Sequence, residues 1–346
     1  MNLKHLFKRG ALLAAANWQV IAIQFVTETA YQTLLAVPII GAAVLVAVLL
    51  GGDLAELLQG SLRDIFTTIA HALVVEPIAL AAFVASFTLV LLGGSALTFV
   101  VKAGTVDVLI AANAASGPIE REPLTFETLA AGSRFTLARF TGGCARLSRP
   151  YLLLGLLLLC VYGVSLAAYV AFVFYGYRSG NGQFFIVGWT FVAAAATALL
   201  IVWFTLVNLF YLLMQIAIAV ESLGIVDAAR AGLRFTRAEF RELASVFLLV
   251  VALVAVATLA SWLAWSGVAL IAFVPLIGLA VVPLQIVALV LRGLLFEYLG
   301  LAALGTYLTL YMSSPSRPFS RVIAAGAAGA AGTAGAPLAS TRPAGP

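Results

Sequence analysis

The residues able to do chemistry in this 346-residue chain are few and mostly isolated. His5 and His71 are its two histidines, Cys144 and Cys160 its two cysteines. His71 and Glu76 alone make neither a metal site nor an acid–base pair. No His-Glu-x-x-His, Gly-x-Ser-x-Gly or phosphate-loop pattern occurs. One cysteine falls near the end of an apolar run and one inside a run, which implies neither a disulfide framework nor a zinc site. Proteolysis inside a bilayer needs a nucleophile with its base, or a pair of carboxylates within the apolar segments, and the sequence places neither there. The chain therefore reads as non-enzymatic, with no cofactor expected.

Ionisable and polar groups inside apolar runs remain, and such groups are functional candidates because they are costly to keep there. Glu28 stands just ahead of the first run, as an interfacial carboxylate would. Arg292 and Glu297 stand in the last run, five residues apart and too far round a helix to pair ideally. Arg292 is expected to reach the outer surface, and Glu297 to sit deeper, where it needs a partner or a proton. The pair reads either as a structural ion pair or as part of a transport path. Asn208, Tyr211 and Gln215 recur at i, i+3 and i+7 and form one polar stripe, suited to hydrogen bonding between packed helices.

A second set is basic. Ala131-Gly-Ser-Arg-Phe-Thr-Leu-Ala-Arg-Phe140 recurs without a gap as Ala231-Gly-Leu-Arg-Phe-Thr-Arg-Ala-Glu-Phe240, with seven of ten residues identical. Around the second copy Arg230, Arg234, Arg237 and Arg241 share one helical face, while Ile225, Val226, Ala229, Leu233 and Phe240 lean to the other. The first copy has Phe126, Leu129, Ser133, Leu137 and Phe140 as its apolar stripe and Arg134 and Arg139 as its cations. Helices of this kind lie in a membrane interface, each basic residue near anionic lipid gaining about 1 kcal/mol. They act either as elbows that orient the following span or as the frame of a site for an anionic lipid or a partner. Arg134 and Arg234 are the charges kept identical between the copies, so a defined contact to a phosphate, carbonyl or carboxylate is expected of both.

The elements that must position these groups follow from composition. The chain is 63% hydrophobic and 10% charged, with mean hydropathy +1.12, whereas soluble domains are roughly 25% charged. Six runs are long enough to cross a bilayer: 31–50, 77–101, 151–175, 187–220, 243–265 and one within 275–311. Gly51-Gly52, the 179–182 segment and Ser266-Gly267 are expected to break helices, and prolines 38, 275 and 283 to kink them. Strand alternation is absent, which makes an outer-membrane barrel a poor fit. Residues 53–76 carry leucine and isoleucine at helical spacing, as for a helix on the outer surface.

Sixteen basic residues precede span 1, lie between spans 2 and 3 or 4 and 5, or follow span 6. Arg63 and Arg178 lie on the other side. That asymmetry puts both termini in the cytoplasm and, since the charges sit at span ends, turns a net charge of +5 away from nucleic acid. The fold class is all-α: a polytopic membrane protein of six spans in three hairpins. Residues 1–30 form a cytoplasmic, interfacial amphipathic segment, 31–312 the membrane domain with elbow helices at 125–140 and 225–240, and 313–346 a disordered cytoplasmic tail rich in Ala, Gly and Pro. The N-terminal segment occupies the place of a third elbow.

The stretch from Gly224 to Arg241 resembles the cytoplasmic segment of the multi-span membrane domain attached to some glycerophosphodiester phosphodiesterases, a domain also found in stand-alone bacterial membrane proteins. The pattern there is roughly Gly-Pro-x-Glu-Ala-x-x-x-Ser-Trp-x-Leu-x-Arg-x-x-Phe. This chain keeps Gly224, Ala228, Arg237 and Phe240, has Asp227 for the acid, and lacks the Ser-Trp pair. The resemblance implies a six-span fold and no activity, because the phosphodiesterase chemistry belongs to a soluble domain. The leading functional expectation is a non-enzymatic protein of the bacterial inner membrane that organises lipid or assembles with other membrane proteins. The rival is a small-solute or lipid transporter or channel, and a membrane enzyme comes third.

Overall fold

A computed structural model describes residues 3–50, 77–123, 125–179, 183–272 and 277–315. The expected outer helix at 53–76 and nearly all of the tail lie outside the described residues. Every regular element described is helical: α1 (Leu3–Ala16), α2 (Trp18–Leu50), α3 (Pro77–Ala115), a 3-10 turn (Ile119–Arg121), α4 (Phe126–Gly132), α5 (Leu137–Ser179), α6 (Gln183–Glu221), α7 (Ile225–Ala238), α8 (Phe240–Ala272) and α9 (Ile277–Ser313). Helices α2, α3, α5, α6, α8 and α9 are long and apolar enough to cross a membrane. They run for 33 to 43 residues, roughly one and a half to two times what a crossing needs.

The surplus length divides the molecule into two zones. Large apolar side chains are exposed from Ile78 to Leu97 on α3, from Val187 to Leu206 on α6, and over corresponding stretches of the other four long helices. Each of these two stretches is about 20 residues, or ~30 Å, the thickness of a hydrocarbon core. Beyond that zone, towards the arginine-rich end, side chains become buried: Phe99 to Ala112 on α3, Tyr211 to Ala219 on α6, Leu301 to Tyr311 on α9. The spans thus meet lipid along one part of their length and one another along the rest.

Helix α1 is packed within that second zone. Leu6, Gly10, Leu12, Leu13, Ala14 and Ala16 are buried, and α1 packs chiefly against α9, with α3, α4, α8 and the 3-10 turn around it. Gly10 and Gly305 set the α1–α9 crossing: a Cβ on Gly10 would stand 2.4 Å from the Ala302 carbonyl, and one on Gly305 3.1 Å from the Gly10 Cα. This corrects the expectation that residues 1–30 lie in the interface. Helix α2 starts at Trp18, ahead of the apolar run read from residue 31. Polar side chains on this part of α2 turn inward, among them Gln24 to Thr105 and Tyr31 to Ser95.

Two other expectations are corrected. Helix α8 runs through Ser266-Gly267 to Ala272. The two copies of the repeated segment differ: the second is one helix, α7, whereas the first is the seven-residue α4 followed by four non-helical residues, Ser133–Thr136. Asn17, fully buried at the α1–α2 break, explains the difference. Its Nδ2 donates to the carbonyls of Leu13 (2.8 Å) and Gly132 (3.1 Å), and its Oδ1 accepts the Arg134 N–H at 2.9 Å. The carbonyl and N–H that would continue α4 are held by another part of the chain.

Candidate functional site

Four helices, α2, α3, α6 and α9, enclose a cavity of about 290 Å³ at the level where the lipid-exposed zone ends. Each contributes polar groups for a local reason. On α6 the stripe of Asn208, Tyr211 and Gln215 faces inward as its spacing demands. On α9 Glu297 is the first strongly polar residue past the exposed apolar stretch that ends at Leu295. On α2 Gln24 and Glu28 are one turn apart, and on α3 Lys102 follows the last exposed apolar residues by little more than a turn. Three formal charges therefore face one space: the carboxylates of Glu28 and Glu297 and the ammonium of Lys102.

None of these charges forms an ion pair within 4 Å among the described residues. Glu28 accepts only a long hydrogen bond, 3.4 Å, from the Gln32 amide on its own helix. Deeper in the cavity Gln215 is 3% and Tyr211 6% exposed. The Tyr211 hydroxyl lies close enough to Gln215 to sense it, but neither that hydroxyl nor Gln215 Nε2 completes a hydrogen bond among the described residues. A buried donor left without a partner costs about 1–3 kcal/mol, so these two groups are costly to leave as the described residues leave them.

The structure redistributes the residues singled out in the sequence. Glu28, Glu297 and the α6 stripe come together, and Lys102, counted only as a loop charge, joins them. The two carboxylates that the sequence places apart share one cavity, although they do not hydrogen-bond to each other. Arg292 is excluded: it is exposed on α9 with its guanidinium 5.8 Å from the centre of the Phe296 ring, one turn nearer the arginine-rich end. It does not pair with Glu297. Glu297 is the nearer of the two to the arginine-rich end.

The six arginines of the repeated segment do not reach the cavity. Arg134 is half-buried in the extended link, its guanidinium donating to the neighbouring Ser133 carbonyl at 2.7 Å. Arg234 is exposed on α7, in surroundings unlike those of Arg134. Arg139 is exposed at the start of α5, and Arg230 makes an exposed pair with Asp227 at 3.2 Å. Arg237 is exposed, and Arg241 is exposed beside Glu242 and Ser245. The buried side of α7 is Ala228, Ala231, Gly232 and Phe235, while Val226 and Leu233 stay exposed. The helix thus has a protein-facing side of small residues, an arginine side and an outward apolar edge.

A second polar centre, which the sequence reading passed over, fastens α1. Arg9 donates to Asn113 Oδ1 (2.7 Å), the Asn113 carbonyl (2.8 Å), the Gly117 carbonyl and Glu120 Oε2 (2.8 Å). The Asn113 carbonyl is in the last turn of α3, where intrahelical donors run out. Gly117, at φ +58°, takes the left-handed turn that aims its own carbonyl at Arg9. Burial pushes the Glu120 carboxyl up, but its hydrogen bonds to backbone and to Arg9, with the Arg9 charge, outweigh that and hold it below its ordinary value. Arg9 and Glu120 stand 111 residues apart and form no recognisable motif; only the fold brings them together.

The fold and cavity define a class, a polytopic helical membrane protein with a polar chamber between its spans. No family model, curated protein or solved structure matches the chain.

Proposed function

We propose that this chain is a non-enzymatic protein of the bacterial inner membrane that holds a lipid headgroup in the α2–α3–α6–α9 cavity, as a structural or assembly component. The arginine-rich end is cytoplasmic on the charge asymmetry of the loops. That orientation places the cavity where headgroups of the inner leaflet lie. The observation that carries the reading is the pair of buried donors, Tyr211 Oη and Gln215 Nε2, beside Lys102, all three without a partner among the described residues. The exposed apolar lengths of the spans give an acyl chain a surface to follow. The likeness to the membrane domain attached to some glycerophosphodiester phosphodiesterases is consistent with this, since that domain implies a membrane role without chemistry of its own.

A small-solute transporter is favoured where broken helices surround a site near the midplane. Here the four helices around the cavity are continuous and the cavity lies at a boundary, which favours retention over passage. The test is native mass spectrometry of the full chain in mild detergent through stepwise delipidation. Wild type is expected to keep one phospholipid, and Lys102→Gln with Gln215→Leu to lose it about tenfold more readily, the cost of charge-assisted hydrogen bonds. Lys102→Gln alone, at a half-buried site, guards against misfolding of the double variant. Equal retention by both variants and wild type would refute the reading.

A further inference from the structure

We infer that the cavity and an adjoining apolar groove form one site for a zwitterionic phospholipid with a primary amine, of the phosphoethanolamine type. The inference rests on the lipid-binding reading above and names the lipid class. The chemistry of the lining selects it. Lys102, Tyr211 and Gln215 present donors, which match phosphate oxygens; Glu28 and Glu297 present acceptors, which match an ammonium with N–H bonds. With one cation against two carboxylates, the lining suits a headgroup carrying one charge of each sign. A purely anionic headgroup would bring further negative charge beside two carboxylates. A quaternary ammonium would meet those carboxylates with no proton to donate.

Tyr211 also lines a second space, a groove of about 390 Å³ between α5 and α6 whose walls are almost wholly apolar. Leu157, Val161, Leu206 and Val207 belong to it, with Trp203 at its edge. Leu157 and Leu206 are about half exposed, so the groove opens sideways within the apolar zone. One residue thus joins a polar chamber at the headgroup level to an apolar channel at the acyl level, the division of a phospholipid. Free phosphoethanolamine shares the headgroup chemistry but has nothing to place in the groove.

The experiment uses the full chain in nanodiscs containing equal amounts of phosphatidylethanolamine, phosphatidylglycerol and phosphatidylcholine. After transfer to detergent, the bound species are read by native mass spectrometry, with melting temperature as a control for folding. The expected result is at least about tenfold enrichment of phosphatidylethanolamine. Glu297→Gln should reduce that enrichment while total lipid persists, and Leu157→Trp, which fills the groove from an exposed position, should reduce total lipid. Soluble phosphoethanolamine at millimolar concentration should not displace the bound lipid. Equal or greater retention of phosphatidylglycerol or phosphatidylcholine overturns the inference and leaves the lipid-binding reading standing. Displacement by soluble phosphoethanolamine, or indifference to Leu157→Trp, overturns the part assigned to the groove. Absence of any retained lipid refutes both.

Discussion

At the scale of residues, the molecule keeps two polar centres in otherwise apolar surroundings, and they differ in satisfaction. Around Arg9 the described acceptors are filled: the guanidinium reaches two carbonyls, an amide and a carboxylate. Its side chain and that of Glu120 are 12% and 9% exposed, so the pair stands mostly outside solvent screening and breaking it leaves a poorly hydrated charge. Glu120→Gln is expected to destabilise the chain by about 1–3 kcal/mol at neutral pH. The folded pKa of Glu120 lies below its unfolded value, so its contribution is full above the ordinary glutamate value of about 4.3. It fades as pH falls through the depressed folded value. Detergent melting curves of wild type and Glu120→Gln should therefore converge as pH drops below about 4; a gap that stays constant would refute this assignment. Around Tyr211 and Gln215 the donors are unfilled among the described residues, and on that contrast the proposed lipid site rests. The α6 stripe and Glu297 were readable in the sequence because polar residues in apolar runs stand out. Lys102 and Arg9 were not, since a basic residue near a span end looks the same whether it faces solvent, lipid or protein.

At the scale of elements, each hairpin of spans, α2–α3, α5–α6 and α8–α9, is preceded by a short helix, yet the three short helices do different work. Helix α1 is a buried wedge. Helix α4 is cut short by Asn17, and α7 docks its small side while displaying arginines. A matching ten-residue sequence takes two backbone courses because one copy meets the Asn17 amide and the other does not. Serine at 133 against leucine at 233 adds to this, leucine being the better helix former. Local pattern can forecast an amphipathic helix, but not a distant side chain that captures its carbonyl. Helix α1 depends on close approach at Gly10, where an added Cβ would meet the Ala302 carbonyl and the Thr306 nitrogen under 3.0 Å. Because these are backbone atoms, the helices must separate. Gly10→Ala is expected to cost about 1–3 kcal/mol, as overpacking does, and to expose the N-terminal helix to limited proteolysis. Undiminished melting temperature and unchanged protection of residues 3–16 would show that the crossing is looser than it looks.

At the scale of the whole molecule, the six spans and their all-helical class follow from hydropathy and length, because lipid permits few other backbone solutions. Burial within the arginine-rich zone does not follow from hydropathy, since leucine facing lipid and leucine facing protein read alike. That ambiguity let residues 1–30 pass as interfacial. It also hid the level at which Glu28 sits. With the two zones distinguished, the polar cavity lies at the boundary between them, and Tyr211 lines both it and the groove along α5 and α6. The central claim is that this boundary chamber holds a lipid. Electron cryomicroscopy of the full chain in nanodiscs tests it most directly. The account predicts a phosphate-sized density beside Lys102 and Gln215, continuous past Tyr211 with an acyl-shaped density along Val161 and Val207. A chamber filled by water alone, or closed by direct pairing of Lys102 with Glu28 or Glu297, would contradict it.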